Sequence, residues 1–175
     1  MRTILAVLLC TAALFAADEN SGRRAPGFAL PDSKMHVYDL ADYRGKIVLL
    51  DLMQTICPHC IAFTDVLERV QKKYGDKVAI LAVVNSGGDN QNTVAQYISG
   101  HGITYPILFD AGQMAYSYVR STRMDTPHVF LIDAEGTIKN DWTYSLLTRD
   151  IFEGDGLMSE IDSLLPRKAA PKTKQ

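Results

Sequence analysis

The sequence lacks an excess of basic residues, a large set of cysteines and any internal repeat. Its 18 Lys and Arg residues are balanced by 20 Asp and Glu residues, which gives a formal net charge of −2. This balance argues against nucleic-acid binding, which needs positive charge to neutralise phosphates. Three cysteines among 175 residues are too few for the disulfide framework of a small secreted domain. A hydrophobic content of 47% argues against an intrinsically disordered chain, and the length suits one domain with its own core.

The first residues, 1–17, predict a secretory signal peptide. Arg2 is followed by an apolar run that starts at Ile4 and ends in small residues at Ala17, after which the chain turns polar. The apolar run is shorter than the roughly 20 residues that a membrane-spanning helix needs. An uncleaved anchor and a lipoprotein modified at Cys10 stay open as alternatives. We therefore expect an extracytoplasmic protein, with the bacterial periplasm as its compartment and one thiol pair in the mature chain.

Near-continuous apolar runs predict strands that are buried on both faces. These runs lie at 47–53, 78–84, 107–109 and 129–132. Continuous rather than alternating hydrophobicity is typical of a parallel or mixed sheet between layers of helices. Apolar residues at helical spacing predict helices at 58–74, 93–99 and 113–119 and a last one that stops at Pro166, while a hairpin strand follows near 137–143.

This order of elements predicts an α/β domain with a three-layer α/β/α architecture and a central mixed sheet. A small N-terminal strand pair is expected between residues 25 and 43. We place a linker at 18–24, the folded domain at 25–166 and a disordered basic tail at 167–175.

The stretch Cys57-Pro58-His59-Cys60 joins a buried strand to an amphipathic helix. Unpaired backbone N–H groups and the positive end of the helix dipole stabilise a thiolate at Cys57. The three-residue step brings Cys60 back beside Cys57, close enough for a disulfide. We expect Cys57 to be the attacking sulfur and Cys60 the shielded, resolving one. Pro58 fixes the geometry of the first turn, and His59 can favour the thiolate and so make the disulfide more oxidising.

Two other uses of the cysteine pair are weaker interpretations. Half of a zinc site would need two further ligands, and no second C-x-x-C occurs in the sequence. An inert structural disulfide rarely lies at the start of a helix. The strand–loop–helix context therefore favours redox chemistry, and we predict no metal site here.

Asp51 is a carboxylate inside an otherwise apolar strand, six residues before Cys57. Burying it is costly unless it has a partner or a task. From a central strand it could point beneath the following helix toward the sulfur of Cys60. Burial would raise its pKa, so that it could accept the Cys60 proton during exchange. The alternative is an Asp at a strand edge that bonds to water or to backbone.

Thr126 and Pro127 stand directly before the apolar run at 129–132. A proline at the start of a core strand marks a bend, and the sequence alone does not decide between a cis and a trans bond. If this bend lies opposite the helix start, its backbone can pair with an incoming extended peptide. Thr126 and Pro127 are therefore our candidate substrate-binding residues.

In combination, these motifs resemble the TlpA/ResA-type extracytoplasmic thiol–disulfide oxidoreductases of the thioredoxin superfamily, which share a redoxin-like thioredoxin fold. The resemblance runs through 25–32, 40–46, the Cys57–Cys60 motif, 102–106 and 126–136. It implies a thioredoxin-like fold, a cis peptide at Pro127, Cys57 as nucleophile, Cys60 as resolver and Asp51 as the buried acid.

The same resemblance implies that the chemistry needs no prosthetic cofactor. The substrates would be cysteine-containing proteins, and electrons would be exchanged with a second thiol protein or with a membrane electron donor. We expect a monomer. The direction of electron flow depends on a reduction potential that the sequence does not give.

Two alternatives from other classes stay open. A peroxiredoxin-like peroxidase needs the pattern Pro-x-x-x-Thr-x-x-Cys, whereas here Thr55 is two residues from Cys57 and Leu50 occupies the proline position. Arg120 and Arg123 are the arginines that such a site could use. A copper-binding chaperone would hold its metal with both cysteines and one further ligand. The candidates for that ligand are His59, His101 and His128.

Overall fold

A computed structural model describes residues 20–85 and 87–166. The predicted signal peptide with Cys10 and the predicted tail at 167–175 lie outside the described residues. The strands are β1 (Ala29–Pro31), β2 (Val37–Asp39), β3 (Ile47–Met53), β4 (Val78–Asn85), β5 (Ile107–Asp110), β6 (His128–Ile132) and β7 (Ile138–Thr143). The α-helices are α1 (Pro58–Tyr74), α2 (Gln91–His101), α3 (Arg149–Glu153) and α4 (Asp155–Leu164). Within the described ranges, no helix is long and apolar enough to cross a membrane.

The central sheet is mixed, as predicted, with the strand order β5-β4-β3-β6-β7. β3, β4 and β5 run parallel, while β6 and β7 are antiparallel to their neighbours. β1 and β2 form the separate N-terminal pair that the sequence predicts. β3 lies in the centre, which explains why all seven of its residues are buried. The predicted three-layer α/β fold is thereby confirmed.

Side chains of β3 alternate between two hydrophobic cores. Leu49 and Met53 pack with the apolar face of α1, in the core that also contains residues of α2, α3 and α4. Leu50 and Leu52 point to the opposite face, where they pack with Tyr118 and with residues of the N-terminal segment. Because successive strand residues point to opposite faces, Asp51 lies on the α1 side.

α1 begins and ends where the sequence predicts. Cys57 is its N-cap residue, with φ −78° and ψ 120°, and Pro58 occupies the first turn, where a missing N–H costs nothing. The C-cap residue Gly75 has φ +54°, a conformation that a residue with a side chain rarely adopts. The helix buries the face that contains Phe63, Leu67 and Val70, among others, against the sheet.

Several elements differ from the prediction in length or type. α2 starts earlier than predicted because Asn90 forms a capping box with Thr93, and it ends at Gly102 rather than at Gly100. The predicted helix at 113–119 is a π-helix over Ala115–Val119. A short additional helix, α3, precedes the last predicted helix α4, and Gly154, at φ +107°, separates the two.

Residues 20–24, predicted as part of a linker, lie along β7 in the structure. The backbone N–H of Gly22 donates to the carbonyl of Ile138 at 2.8 Å, and the Ser21 hydroxyl donates to the carbonyl of Lys139 at 2.7 Å. Arg24 forms an isolated antiparallel bridge with Thr137. The described chain is therefore attached to the sheet from its first residues onward.

Candidate active site

Cys57 and Cys60 lie at the carboxyl end of β3, where α1 begins. Both cysteines are free thiols; Cys57 is half-buried and Cys60 is buried. The backbone N–H of Cys60 donates to the Cys57 sulfur at 3.4 Å, so the Cys57 side chain caps the helix. A sulfur that caps a helix receives the N–H groups and the positive dipole end that favour a thiolate. The arrangement can perform thiol–disulfide exchange with Cys57 as the accessible sulfur.

Thr126 and Pro127 lie opposite the helix start. The peptide between them is cis, as the resemblance implied. The Cys57 thiol donates to the carbonyl oxygen of Thr126 at 3.6 Å, and the Thr126 hydroxyl donates to the Gln54 side chain at 3.4 Å. The bend before β6 and the loop before α1 thus both lie beside the Cys57 sulfur.

Asp51 lies in the middle of the central strand, so it is not at a sheet edge. It pairs with Ala82 on one side and Val129 on the other, and only 2% of its surface is exposed. One carboxylate oxygen, Oδ1, has no hydrogen-bond partner among the described residues. Burial therefore raises the pKa of Asp51 to about 7.

The Cys60 thiol shares this apolar environment with Asp51. Burial, followed by the charge of Asp51, raises the pKa of the Cys60 thiol far above its ordinary value. Two negative charges in one buried site repel each other, so ionisation of one of these acids raises the pKa of the other. The protonation states of Asp51 and Cys60 are therefore linked.

Two buried hydroxyls, which no pattern in the sequence predicts as part of the site, lie next to Cys60. The Thr64 hydroxyl donates to the Cys60 carbonyl at 3.2 Å and lies 2.6 Å from the hydroxyl of Tyr97. Burial raises the pKa of Tyr97 to about 12, so this hydroxyl keeps its proton. The spacing of four residues between Cys60 and Thr64 along α1 was the available signal, but the partner on α2 depends on the tertiary fold.

Asp89 is a second residue that the sequence analysis does not assign. Its Oδ1 accepts hydrogen bonds from both the backbone N–H and the hydroxyl of Thr55, two residues before Cys57. Thr55 is buried, and Asp89 reaches it from the loop that follows β4. The carboxylate thus fixes the chain just before the redox motif.

Asp89→Ala is expected to lower the free energy of unfolding by about 1–2 kcal/mol, because it leaves two donors of Thr55 without their acceptor. Asp89→Asn retains an acceptor oxygen and is expected to lose about half as much. Urea denaturation of the three proteins measures the difference. Equal stability of the Ala and parent proteins would show that these hydrogen bonds do not contribute.

His59 and Pro58, the residues predicted to tune the potential, are both exposed on the first turn of α1. The His59 ring stacks on the ring of Tyr144, with centroids 3.7 Å apart and planes at 18°. Tyr144 follows β7, so the stack brings a residue from the C-terminal part of the domain into contact with the redox motif.

His101 and His128, the other two candidate copper ligands, have different neighbours. His101 packs against the ring of Tyr97, at a centroid distance of 4.7 Å. His128 is buried, as expected for a packed strand residue, and its Nε2 lies 2.6 Å from the Asp141 carboxylate. Within residues 20–85 and 87–166, no cluster of three or more potential ligands could hold a metal ion.

The arginines considered for a peroxidase site lie at the surface. Arg120 and Arg123 are both exposed, and Arg123 pairs with Asp125 at 3.0 Å. Leu50, in the position of the peroxidase proline, is fully buried in the core on the face opposite Asp51. Among the described residues, neither arginine side chain forms a hydrogen bond with Cys57, Thr126 or Gln54.

Comparison with known proteins identifies the family. Residues 21–141, more than half of the chain, match the sequence profile of the AhpC/TSA family. The chain belongs to this family. This AhpC/TSA protein is also 34% identical, over 133 residues, to the thiol-disulfide oxidoreductase ResA of Geobacillus kaustophilus (strain HTA426). That match covers 74% of this chain and 73% of the relative.

Two further similarities agree with this assignment. The AhpC/TSA protein is 31% identical over 120 residues to the thioredoxin-like protein YneN of Bacillus subtilis (strain 168), which covers 68% of this chain and 69% of the relative. Its structure is similar to the exposed lipoprotein thioredoxin of Streptococcus pneumoniae strain TIGR4. The TM-score is 0.62 at 26% identity, over 79% of this chain and 100% of the other. The predicted ResA-type member of the thioredoxin superfamily is confirmed, and the protein is a thiol–disulfide oxidoreductase.

Proposed function

We propose that Cys57 and Cys60 exchange disulfides with cysteine-containing proteins through a mixed disulfide. The observation that carries this proposal is the pairing of a half-buried Cys57, at the N-cap of α1, with a buried Cys60. The accessible sulfur is the one that a helix start activates, and the other one waits behind it. The thiolate is the reactive species, and this asymmetry supports Cys57 as the attacking sulfur.

In the reducing direction, the Cys57 thiolate attacks one sulfur of the substrate disulfide. A Cys57–substrate disulfide forms, and the other substrate sulfur leaves as a thiolate that takes up a proton. The Cys60 thiolate then attacks the Cys57 sulfur, which releases the second substrate sulfur and closes the Cys57–Cys60 disulfide. Two electrons pass to the substrate, and the reverse sequence of steps oxidises a dithiol.

The second step needs a base, because Cys60 is buried and its pKa is raised. Asp51 serves as this base in our proposal: a carboxylate with a pKa of about 7 can accept a proton near neutral pH and release it later. Pro58 and His59 tune the potential from the exposed first turn. Thr126 and Pro127 bind the substrate backbone opposite the Cys57 sulfur, as the contact between Cys57 and Thr126 supports.

We place this reaction in an extracytoplasmic compartment, the bacterial periplasm, on the basis of the leader-like sequence at residues 1–17. A second thiol protein or a membrane electron donor restores the starting redox state of the cysteine pair. The protein acts as a monomer on substrates whose cysteines are accessible.

The test is equilibration of the protein with mixtures of reduced and oxidised glutathione. Formation of one Cys57–Cys60 disulfide, followed by mass spectrometry of alkylated peptides, is the expected result, and its midpoint gives the reduction potential. An oxidising midpoint would assign a disulfide donor, and a midpoint near that of thioredoxin would assign a reductase. If no Cys57–Cys60 disulfide forms at any ratio, the proposal fails and metal binding by the thiols becomes the better hypothesis.

A further inference from the structure

Exposed apolar side chains lie in the turn that follows β7. We call residues 144–148 the β7 turn. Leu146 is 86% exposed and Leu147 is 94% exposed, and Tyr144 is partly exposed beside them. Ile56, which directly precedes Cys57, is 80% exposed. Single apolar residues at a surface are ordinary, but two adjacent leucines that are both almost fully exposed are candidates for contact with a partner.

Hydrogen bonds hold the β7 turn in this shape. The Thr148 hydroxyl donates to the carbonyl of Thr143 at 2.7 Å, and the backbone N–H of Ser145 donates to the Thr148 hydroxyl at 3.0 Å. The Ser145 and Thr148 hydroxyls lie 2.9 Å apart. The two leucines therefore project from an ordered turn, and their exposure follows from its geometry.

The β7 turn is continuous with the redox motif. Tyr144 stacks on His59 at 3.7 Å, and its edge packs on Phe152 at 5.6 Å. A cavity of about 200 Å³ lies at this junction, and its rim includes Arg149 and Glu153. These two side chains pair with each other at 2.6 Å, so the rim presents little net charge to a ligand. The surface next to His59 therefore carries little net charge, and the rings of Tyr144 and Phe152 contribute its apolar part.

We propose that Ile56 and the β7 turn bind apolar side chains that neighbour the reactive cysteine of a polypeptide substrate. This inference rests on the proposed function, because a substrate sulfur at Cys57 brings the flanking residues of its chain over these surfaces. An extended chain advances about 3.4 Å per residue, so residues close to the cysteine reach the neighbours of His59. Apolar residues beside a cysteine are usually buried after folding. The preferred substrates are therefore incompletely folded polypeptides.

Two peptides of equal length and charge test the proposal, each carrying one cysteine as a mixed disulfide with glutathione. Leucines flank the cysteine in one peptide and serines in the other. The reduced protein is expected to act on the leucine peptide with a kcat/KM about tenfold higher. Leu146→Ser/Leu147→Ser is expected to remove this preference by raising KM for the leucine peptide alone. The matched control, Met35→Ser/Val37→Ser, removes exposed apolar side chains from the β1–β2 region and is expected to keep the preference.

An unchanged preference in the leucine double variant, with exchange intact, would overturn this inference and leave the proposed function standing. Failure of the parent protein to exchange with either peptide and with oxidised glutathione would overturn both. Sedimentation of the parent and the double variant tests whether a second copy of the chain binds this surface instead. A dimer that the double variant loses would overturn the inference, because a second copy of the chain would then cover the leucines.

Discussion

Cys57→Ser is expected to abolish disulfide exchange, with a fall in kcat/KM of about a thousandfold or more. Cys60→Ser is expected to act differently, because it leaves the attacking sulfur in place and removes only the one that resolves the intermediate. The Cys60→Ser protein would therefore stop at the mixed disulfide and accumulate it. Non-reducing electrophoresis and mass spectrometry of protein mixed with a disulfide-containing polypeptide measure both outcomes.

The physical reason for this asymmetry is the position of each sulfur. Cys57 is half-buried at the helix start and contacts the Thr126 carbonyl, whereas Cys60 is buried behind it. Cys57 is therefore the sulfur that a substrate can reach, whereas only 2% of the surface of Cys60 is exposed. Cys10 is present in the full chain, so Cys10→Ser in every variant provides a matched background. Accumulation of a mixed disulfide on Cys60 in the Cys57→Ser protein would contradict the assignment.

Local patterns were sufficient to predict the sheet and the redox motif. The continuous apolar run of β3 indicated a strand covered on both faces, and Asp51 was recognisable because it interrupts that run. The cysteine pair could be placed at a helix start because Pro58 and the apolar spacing after it mark that helix. In each case the signal lies within a few residues of the feature that it predicts.

Contacts between distant parts of the chain could not be predicted in the same way. Thr55 meets Asp89 across 34 positions, and Thr64 meets Tyr97 across 33. The stack of Tyr144 on His59 joins positions that only the sheet order brings together. A polar residue in a sequence shows that it needs a partner when it is buried, but the partner is selected by the tertiary fold.

Asp51→Asn is expected to stabilise the protein, and the gain is expected to depend on pH. Burial raises the pKa of Asp51 from its ordinary value of 3.8 to about 7 in the folded state. Between these values the folded state holds a proton that the unfolded state has lost, so the Asp51 contribution to stability falls as the pH rises. Above pH 7 the cost levels off at about 4 kcal/mol, since each unit of pKa difference corresponds to about 1.4 kcal/mol.

The Asn variant carries no charge at this position, so it should escape the cost. At pH 8 its free energy of unfolding is expected to exceed that of the parent by about 4 kcal/mol, and at pH 4 the two are expected to be nearly equal. Urea denaturation of the reduced proteins across this range measures the difference. Asp65→Asn on the exposed side of α1 removes a surface carboxylate and is the matched control. A gain that is the same at pH 4 and pH 8 would contradict the buried-acid interpretation.

The same substitution is expected to slow the reaction that the carboxylate serves. Release of the second substrate thiol, which depends on the Cys60 thiolate, should fall roughly a hundredfold near pH 7 in the Asn variant. The parent should show a rise in this rate around pH 7, and the variant should lose that inflection while formation of the mixed disulfide at Cys57 is unchanged. A stabilised variant with an unaltered rate profile would show that Asp51 is only a cost to folding. A slower one would explain why a destabilising carboxylate is kept in the central strand, since stability is exchanged there for proton transfer.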